Sequence, residues 1–184
     1  MNTKFFAFIK PVAVALSVIA LTACGGNTTK QDNTKTAAAA TFPVTIKNNG
    51  ADVVISQKPS AIISLSPTAT EMLFAIGAGS QVTAVDDQSN YPADAPKSDL
   101  SGFTPNVEAI VAKKPDLVVI SNDIDNLVAS LQAAKIPVLL ETAATNLDET
   151  YGQLTELGLA TGQVQGASDS VAKMKSDIQA ALGT

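Results

Sequence analysis

Few side chains in this chain could do chemistry, and their spacing narrows the choice further. Ser66 and Ser121 each follow a short apolar run, as an exposed nucleophile would, and Asp86-Asp87 is an adjacent acid pair. A serine nucleophile needs a base beside it. The sequence contains no His and no G-x-S-x-G elbow, so serine hydrolysis lacks its parts. The missing His also removes the commonest zinc ligand. Neighbouring residues at a strand end point to opposite faces, so Asp86 and Asp87 do not converge on a metal or a proton and read as solvated loop acids. No G-x-G-x-x-G and no P-loop occurs, which leaves a nucleotide without a phosphate cradle. No catalytic residue and no metal ligand is assigned. The remaining candidates are turns at strand ends, which hold ligands.

The elements that must position those turns alternate. Ile62-Ile63-Ser64-Leu65 has strand length and composition. Ser66-Pro67-Thr68 breaks it, with Pro67 suited to a first helical position and Thr68 to Glu71 spaced as a capping box. Ala69, Met72, Leu73 and Ile76 follow at helical spacing, and Gly77 stops the helix. In open α/β sheets such a turn lies at the carboxyl end of the strand, where ligands bind. Val82–Val85, Leu117–Ile120 and Pro137–Leu140 read as further strands. Asn106–Lys114, Asp125–Lys135, a segment capped by Asn146 and Glu149 and ended by Gly162, and Ala167–Leu182 read as helices. The long polar connection from Asp86 to Phe103 is placed to line a cleft. Upstream, Asn49-Gly50 between Val44-Thr45-Ile46 and Val53-Val54-Ile55 predicts a β-hairpin. The expected fold is therefore α/β, a parallel Rossmann-like sheet flanked by helices and preceded by a hairpin.

Composition sets the limits. The 184 residues are 46% hydrophobic and 4% aromatic, with no Trp, enough for one modest core. Twelve Lys without Arg face 17 acids, a net charge of −5, which argues against nucleic acid as a partner. A single Cys excludes an internal disulfide. It is Cys24, at the end of the apolar segment Pro11–Ala23, which Lys4 and Lys10 precede. Residues 1–23 read as a signal peptide, shorter in its apolar core than the roughly 20 residues of a spanning helix. Residues 24–41 read as a flexible tether. Leu21-Thr22-Ala23-Cys24 resembles a lipobox, which implies a diacylglyceryl anchor on Cys24 and a place on the outer side of the cell membrane.

Three blocks carry a wider resemblance: ISLSPTATEMLFAIGAG from Ile63, YPADAP from Tyr91, and NVEAIVAKKPDLVVIS from Asn106. Together they resemble the helical-backbone class of solute-binding proteins of ABC importers, receptors for cobalamin, ferric siderophores and haem. The resemblance runs from Phe42 to the end and covers the first half of such a receptor. It implies an N-terminal lobe at residues 42–162 and the start of the interlobe helix at 163–184. The second lobe is then absent, and the chain reads as a truncated form. Ligand contacts are implied at Ser66, Pro67, Thr68, Gln88, Ser89, Gly102, Phe103, Ser121 and Asn122. Glu108 matches the glutamate offered to an Arg of the permease; by position alone it is a first-turn acid stabilising its helix. The resemblance implies a metal chelate as the solute and no resident cofactor. Cobalamin receptors place aromatics where this chain has Gln88, Gly102 and Ser121, siderophore receptors often use Arg, and haem would leave only Tyr91 and Tyr151. Outside the resemblance stand two other classes, a secreted α/β enzyme and a single-lobe surface interaction module.

Overall fold

The structure, a computed structural model, describes residues 40–183. The signal peptide, Cys24 and nearly all of the tether lie outside the described residues. In chain order the elements are β1 (Val44–Asn48), β2 (Ala51–Ile55), β3 (Ile62–Leu65), α1 (Pro67–Ala75), β4 (Val82–Val85), α2 (Val107–Ala112), β5 (Leu117–Ile120), α3 (Leu127–Ala133), β6 (Val138–Leu140), α4 (Leu147–Thr161) and α5 (Val164–Leu182). β3 to β6 form one parallel sheet in the order β4-β3-β5-β6. A parallel sheet is covered on both faces, so its strands are apolar without alternation. Ile62, Leu117, Val119 and Leu139 point to one core, shared with Leu73 of α1, Ile76 at its C-terminal cap, and Leu154 and Leu157 of α4. Ile63, Leu65, Val118, Ile120 and Val138 point to the other, shared with Ile110 of α2 and Leu127 and Leu131 of α3.

The hairpin forms as expected, with Asn49 and Gly50 both at positive φ (48° and 80°) in a two-residue turn. Its inward residues Ile46, Val53 and Ile55 join the core that α4 covers. α5 adds Ala167, with Val171 and Met174 packed at its edge, while Leu182 stays 71% exposed.

Three local expectations are corrected. The N-cap of α1 is Ser66, whose hydroxyl accepts from the Ala69 N–H, because a cap must precede the proline at N1. Thr68 and Glu71 therefore lie inside the helix and form no capping box. α3 begins at Leu127, after Asp125 and Asn126 in the left-handed region (φ 55° and 57°), which no α-helix accommodates. Asp86 is no solvated loop acid. It is 3% exposed, bridges to Leu100 and accepts from the Ser89 N–H at 2.8 Å.

Candidate ligand-binding cleft

The order β4-β3-β5-β6 contains a reversal. From β3 the chain moves outward to β4, then returns past β3 to lay down β5 and β6. The loops leaving β3 and β5 diverge at that point, and the crevice between them is where open α/β sheets bind ligands. A cavity of about 520 Å³ lies there, within the range of about 300–1,000 Å³ of small-molecule sites. Ser66, Pro67 and Thr68 line it from the β3 turn, Ser121 and Asn122 from the β5 turn, and Phe103 from the long loop. Phe103 is 69% exposed. Ala69 and Met72 of α1 line it too, so the wall mixes hydroxyl and amide groups with apolar surface and carries one aromatic lip.

The other three expected contacts sit differently. Gln88 is exposed and does not line the cavity. Ser89 is buried beneath it, 3.0 Å from the Thr70 hydroxyl. Thr70 donates to Ser64 at 2.8 Å and Ser64 to the Ser66 carbonyl at 3.2 Å. Each hydroxyl has one proton, so Ser89 must be the donor to Thr70, and the chain of bonds runs Ser89, Thr70, Ser64, Ser66. This network fixes the β3 turn from below. Gly102 allows the long loop to approach closely: a Cβ there would meet the Leu65 carbonyl oxygen at 2.7 Å and an Asp86 carboxylate oxygen at 2.8 Å. Gly102 and Ser89 thus hold the wall in place.

The turn after β6 completes the lining with Glu141, Thr142, Ala143 and Ala144, and α4 adds Thr150 and Gln153. Gln153 steadies the turn by donating to the Thr142 carbonyl at 2.6 Å. None of these residues was singled out from the sequence, although the rule that selected the β3 and β5 turns applies equally to β6. Glu141 is the ionisable residue in the lining. It is 7% exposed, and burial first, then the neighbouring Glu156 carboxylate, push its pKa up to about 8. Neither Tyr91 nor Tyr151 lines the cleft. Glu108 stands apart from it, exposed in the first turn of α2, where the Asn106 side chain caps the helix. Among the described residues no group of three His, Cys, Asp or Glu side chains could hold a metal ion, and no helix is long and apolar enough to cross a membrane.

The profile of periplasmic binding proteins matches residues 62–182, the sheet, the cleft and α5 together. The chain belongs to that family. An uncharacterized ABC transporter substrate-binding lipoprotein of Bacillus subtilis, YvrC, is 33% identical over 174 residues, 91% of this chain and 55% of the relative. A cobalamin-binding protein of Halobacterium salinarum is 30% identical over 186 residues, 98% of this chain and 50% of the relative. The crystal structure of the iron uptake ABC transporter substrate-binding protein PiuA from Streptococcus pneumoniae superposes with a TM-score of 0.65 at 26% identity, covering 77% of this chain and 52% of that one. The chain spans about half the length of these relatives. They are named as solute-binding proteins, none as an enzyme.

Proposed function

We infer that this chain is the ligand-binding lobe of an extracytoplasmic receptor that delivers a metal chelate, cobalamin or a ferric siderophore, to an ABC importer. The observation that carries this is the placement of the cleft. Ser66-Pro67-Thr68, Phe103 and Ser121-Asn122 meet in one cavity at the topological switch point of a sheet that belongs to the periplasmic binding protein family. The wall sets the polar groups of Ser66, Thr68, Ser121, Asn122 and Gln153 beside apolar Pro67, Met72 and Phe103, and its ionisable residue is Glu141. Cys24, by its lipobox-like context, anchors the protein to the membrane through diacylglycerol, and residues 25–41 let the lobe reach the permease. Glu108, outside the cleft and open to solvent, is the docking carboxylate for a permease Arg; such a pair orients as well as attracts.

The test is a titration of the full chain with cyanocobalamin and ferric siderophores, followed by visible absorbance. Saturable binding that weakens in the Ser121→Tyr or Thr68→Tyr variant, each of which fills the cavity, supports the reading. Binding unaffected by both substitutions would move the ligand site elsewhere.

A further inference from the structure

The cleft contains one carboxylic acid with an oxygen that nothing satisfies. Glu141 follows β6, and its N–H donates to the Ile120 carbonyl at 2.7 Å, which ties its backbone to the sheet. Its side chain is 7% exposed, and Oε1 is buried with no hydrogen-bond partner. Leaving a buried polar atom unpaired costs about 1–3 kcal/mol, so such atoms are rare and call for a reason.

Glu141 lines the cleft on one side and, on the other, a smaller cavity of about 280 Å³ beneath the hairpin. Its ionisable neighbours there are Glu149 and Glu156 of α4. The Glu149 carboxylate is occupied by the Thr145 N–H at 2.6 Å and the Asn146 amide at 2.9 Å. The Glu156 carboxylate accepts from Asn48 Nδ2 at 3.1 Å. From the hairpin, Asn48 and Asn49 line the same cavity, and no Lys lines either cavity among the described residues. An acid surrounded by carboxylates and amides, without a cation, keeps its proton at neutral pH.

We propose that Glu141 recognises the ligand as a neutral acid, donating its O–H to an amide- or hydroxamate-type carbonyl oxygen of a chelate that is uncharged where it faces this lobe. The inference rests on the reading of the cleft as the ligand site and adds its selectivity. A carboxylate-rich or catecholate-rich anionic chelate would meet no cation here and one acid that its own charge keeps protonated. The buried, unpaired Oε1 favours the neutral form, because ionisation would place charge on an oxygen that no donor meets, and a ligand that accepts the O–H needs the carboxyl in that form.

The experiment titrates the full chain, wild type and the variants E141Q, E141A and E156Q, with three probes. These are cyanocobalamin, a neutral ferric trihydroxamate and an anionic ferric tris-catecholate, each between about pH 6 and pH 9.5, a window that brackets the Glu141 titration. The expected result is binding of one or both uncharged probes, at least tenfold tighter than the tris-catecholate. Wild-type affinity should fall by up to tenfold per unit above about pH 8. E141A should bind roughly three- to tenfold more weakly at neutral pH, about one net hydrogen bond. E141Q, which keeps a donor, should recover most of that loss and show no fall at high pH. E156Q should move the fall to lower pH. Preference for the tris-catecholate, affinity that rises with pH, or E141A binding like the wild type would each overturn the proposal while leaving the cleft as the ligand site. Failure of all three probes to bind at any pH would take down the reading of the cleft itself, and the proposal with it.

Discussion

The side chain of Asn48 pairs with the backbone of Leu140 as a neighbouring strand would. Its Oδ1 accepts from the Leu140 N–H at 2.8 Å while its Nδ2 donates to the Leu140 carbonyl at 3.3 Å. β6 is the edge of the sheet, and an edge strand otherwise exposes such groups. The hairpin, which the sequence marks by its Asn-Gly turn and the two apolar runs beside it, therefore clamps the residue immediately before Glu141.

Asn48→Ala should strip the Leu140 N–H and the Glu156 carboxylate of a partner each. Asn48 is 7% exposed, so water replaces it poorly, and the expected loss is about 1–3 kcal/mol of stability. Urea unfolding of the two proteins measures it. A loss under about half a kcal/mol would mean that the clamp is ornamental to the fold.

Glu141 should also make stability depend on pH. Its folded pKa is raised from 4.5 to about 8, so between those values the unfolded chain has released a proton that the folded chain still holds. The contribution is fully present below about pH 4.5 and is lost progressively as pH rises to about 8. Each unit costs about 1.4 kcal/mol at most. Glu141→Gln should flatten this slope in thermal melts taken across the window. Asp116 acts at the opposite end: hydrogen bonds from the Ser60 N–H, the Ser60 hydroxyl and the Ala61 N–H hold its pKa low. Its contribution is present above the usual carboxylate range and is lost as pH falls through its folded value. An unchanged slope in the Glu141→Gln protein would remove Glu141 as the cause.

The alternation of apolar runs and helical spacing carries the sheet, because strand period and helix period are local properties of sequence. The turn Ser66-Pro67-Thr68 was legible for the same reason: Pro67 has a fixed φ that suits a first helical position between an apolar run and residues at helical spacing. Asp86 was not legible, since its burial depends on Leu100 returning to pair beside it. Nor was the start of α3, where Asp125 and Asn126 adopt positive φ that their types tolerate but do not require. Glu141 looks like any loop acid in one dimension. Its burial depends on α4 and on the hairpin, which folds back from nearly a hundred residues earlier in the chain to bond Leu140 beside it.

Gly166 and Gly102 are among the glycines whose contacts are too close for a side chain. In Gly166→Ala the new methyl would run into the Ile76 carbonyl, forcing α5 away from α1. The expected cost is about 1–3 kcal/mol or more, as for other overpacked contacts. Gly102→Ala should instead displace the Phe103 loop from Leu65 and weaken ligand binding more than it weakens the fold. Comparing melting temperature with affinity separates the two. Loss of stability without loss of affinity in Gly102→Ala would leave the loop outside the site.

Cys24→Ser should release the protein from membranes while leaving the folded lobe unaltered, since the substitution precedes every described element. Fractionation of cells producing each protein decides it. A serine variant that pellets with membranes as fully as the wild type would refute anchoring through this residue.

Glu108 separates docking from helix stability. A first-turn carboxylate contributes about 0.3–1 kcal/mol to its helix through the macrodipole, and an exposed one sits at the low end. If that is its whole task, Glu108→Gln and Glu108→Arg should shift melting slightly and leave transport alone. If Glu108 meets a permease Arg, Glu108→Arg sets two cations against each other at the contact, and like charges across an interface cost several kcal/mol. Because Glu108 lies outside the cleft, ligand affinity should stay within about twofold. Uptake by cells that contain the matching permease should meanwhile drop by tenfold or more, at about 1.4 kcal/mol for each factor of ten. Affinity measured on the isolated protein and uptake measured in those cells give the two numbers. Equal losses in both would tie Glu108 to the fold or the ligand rather than to the permease.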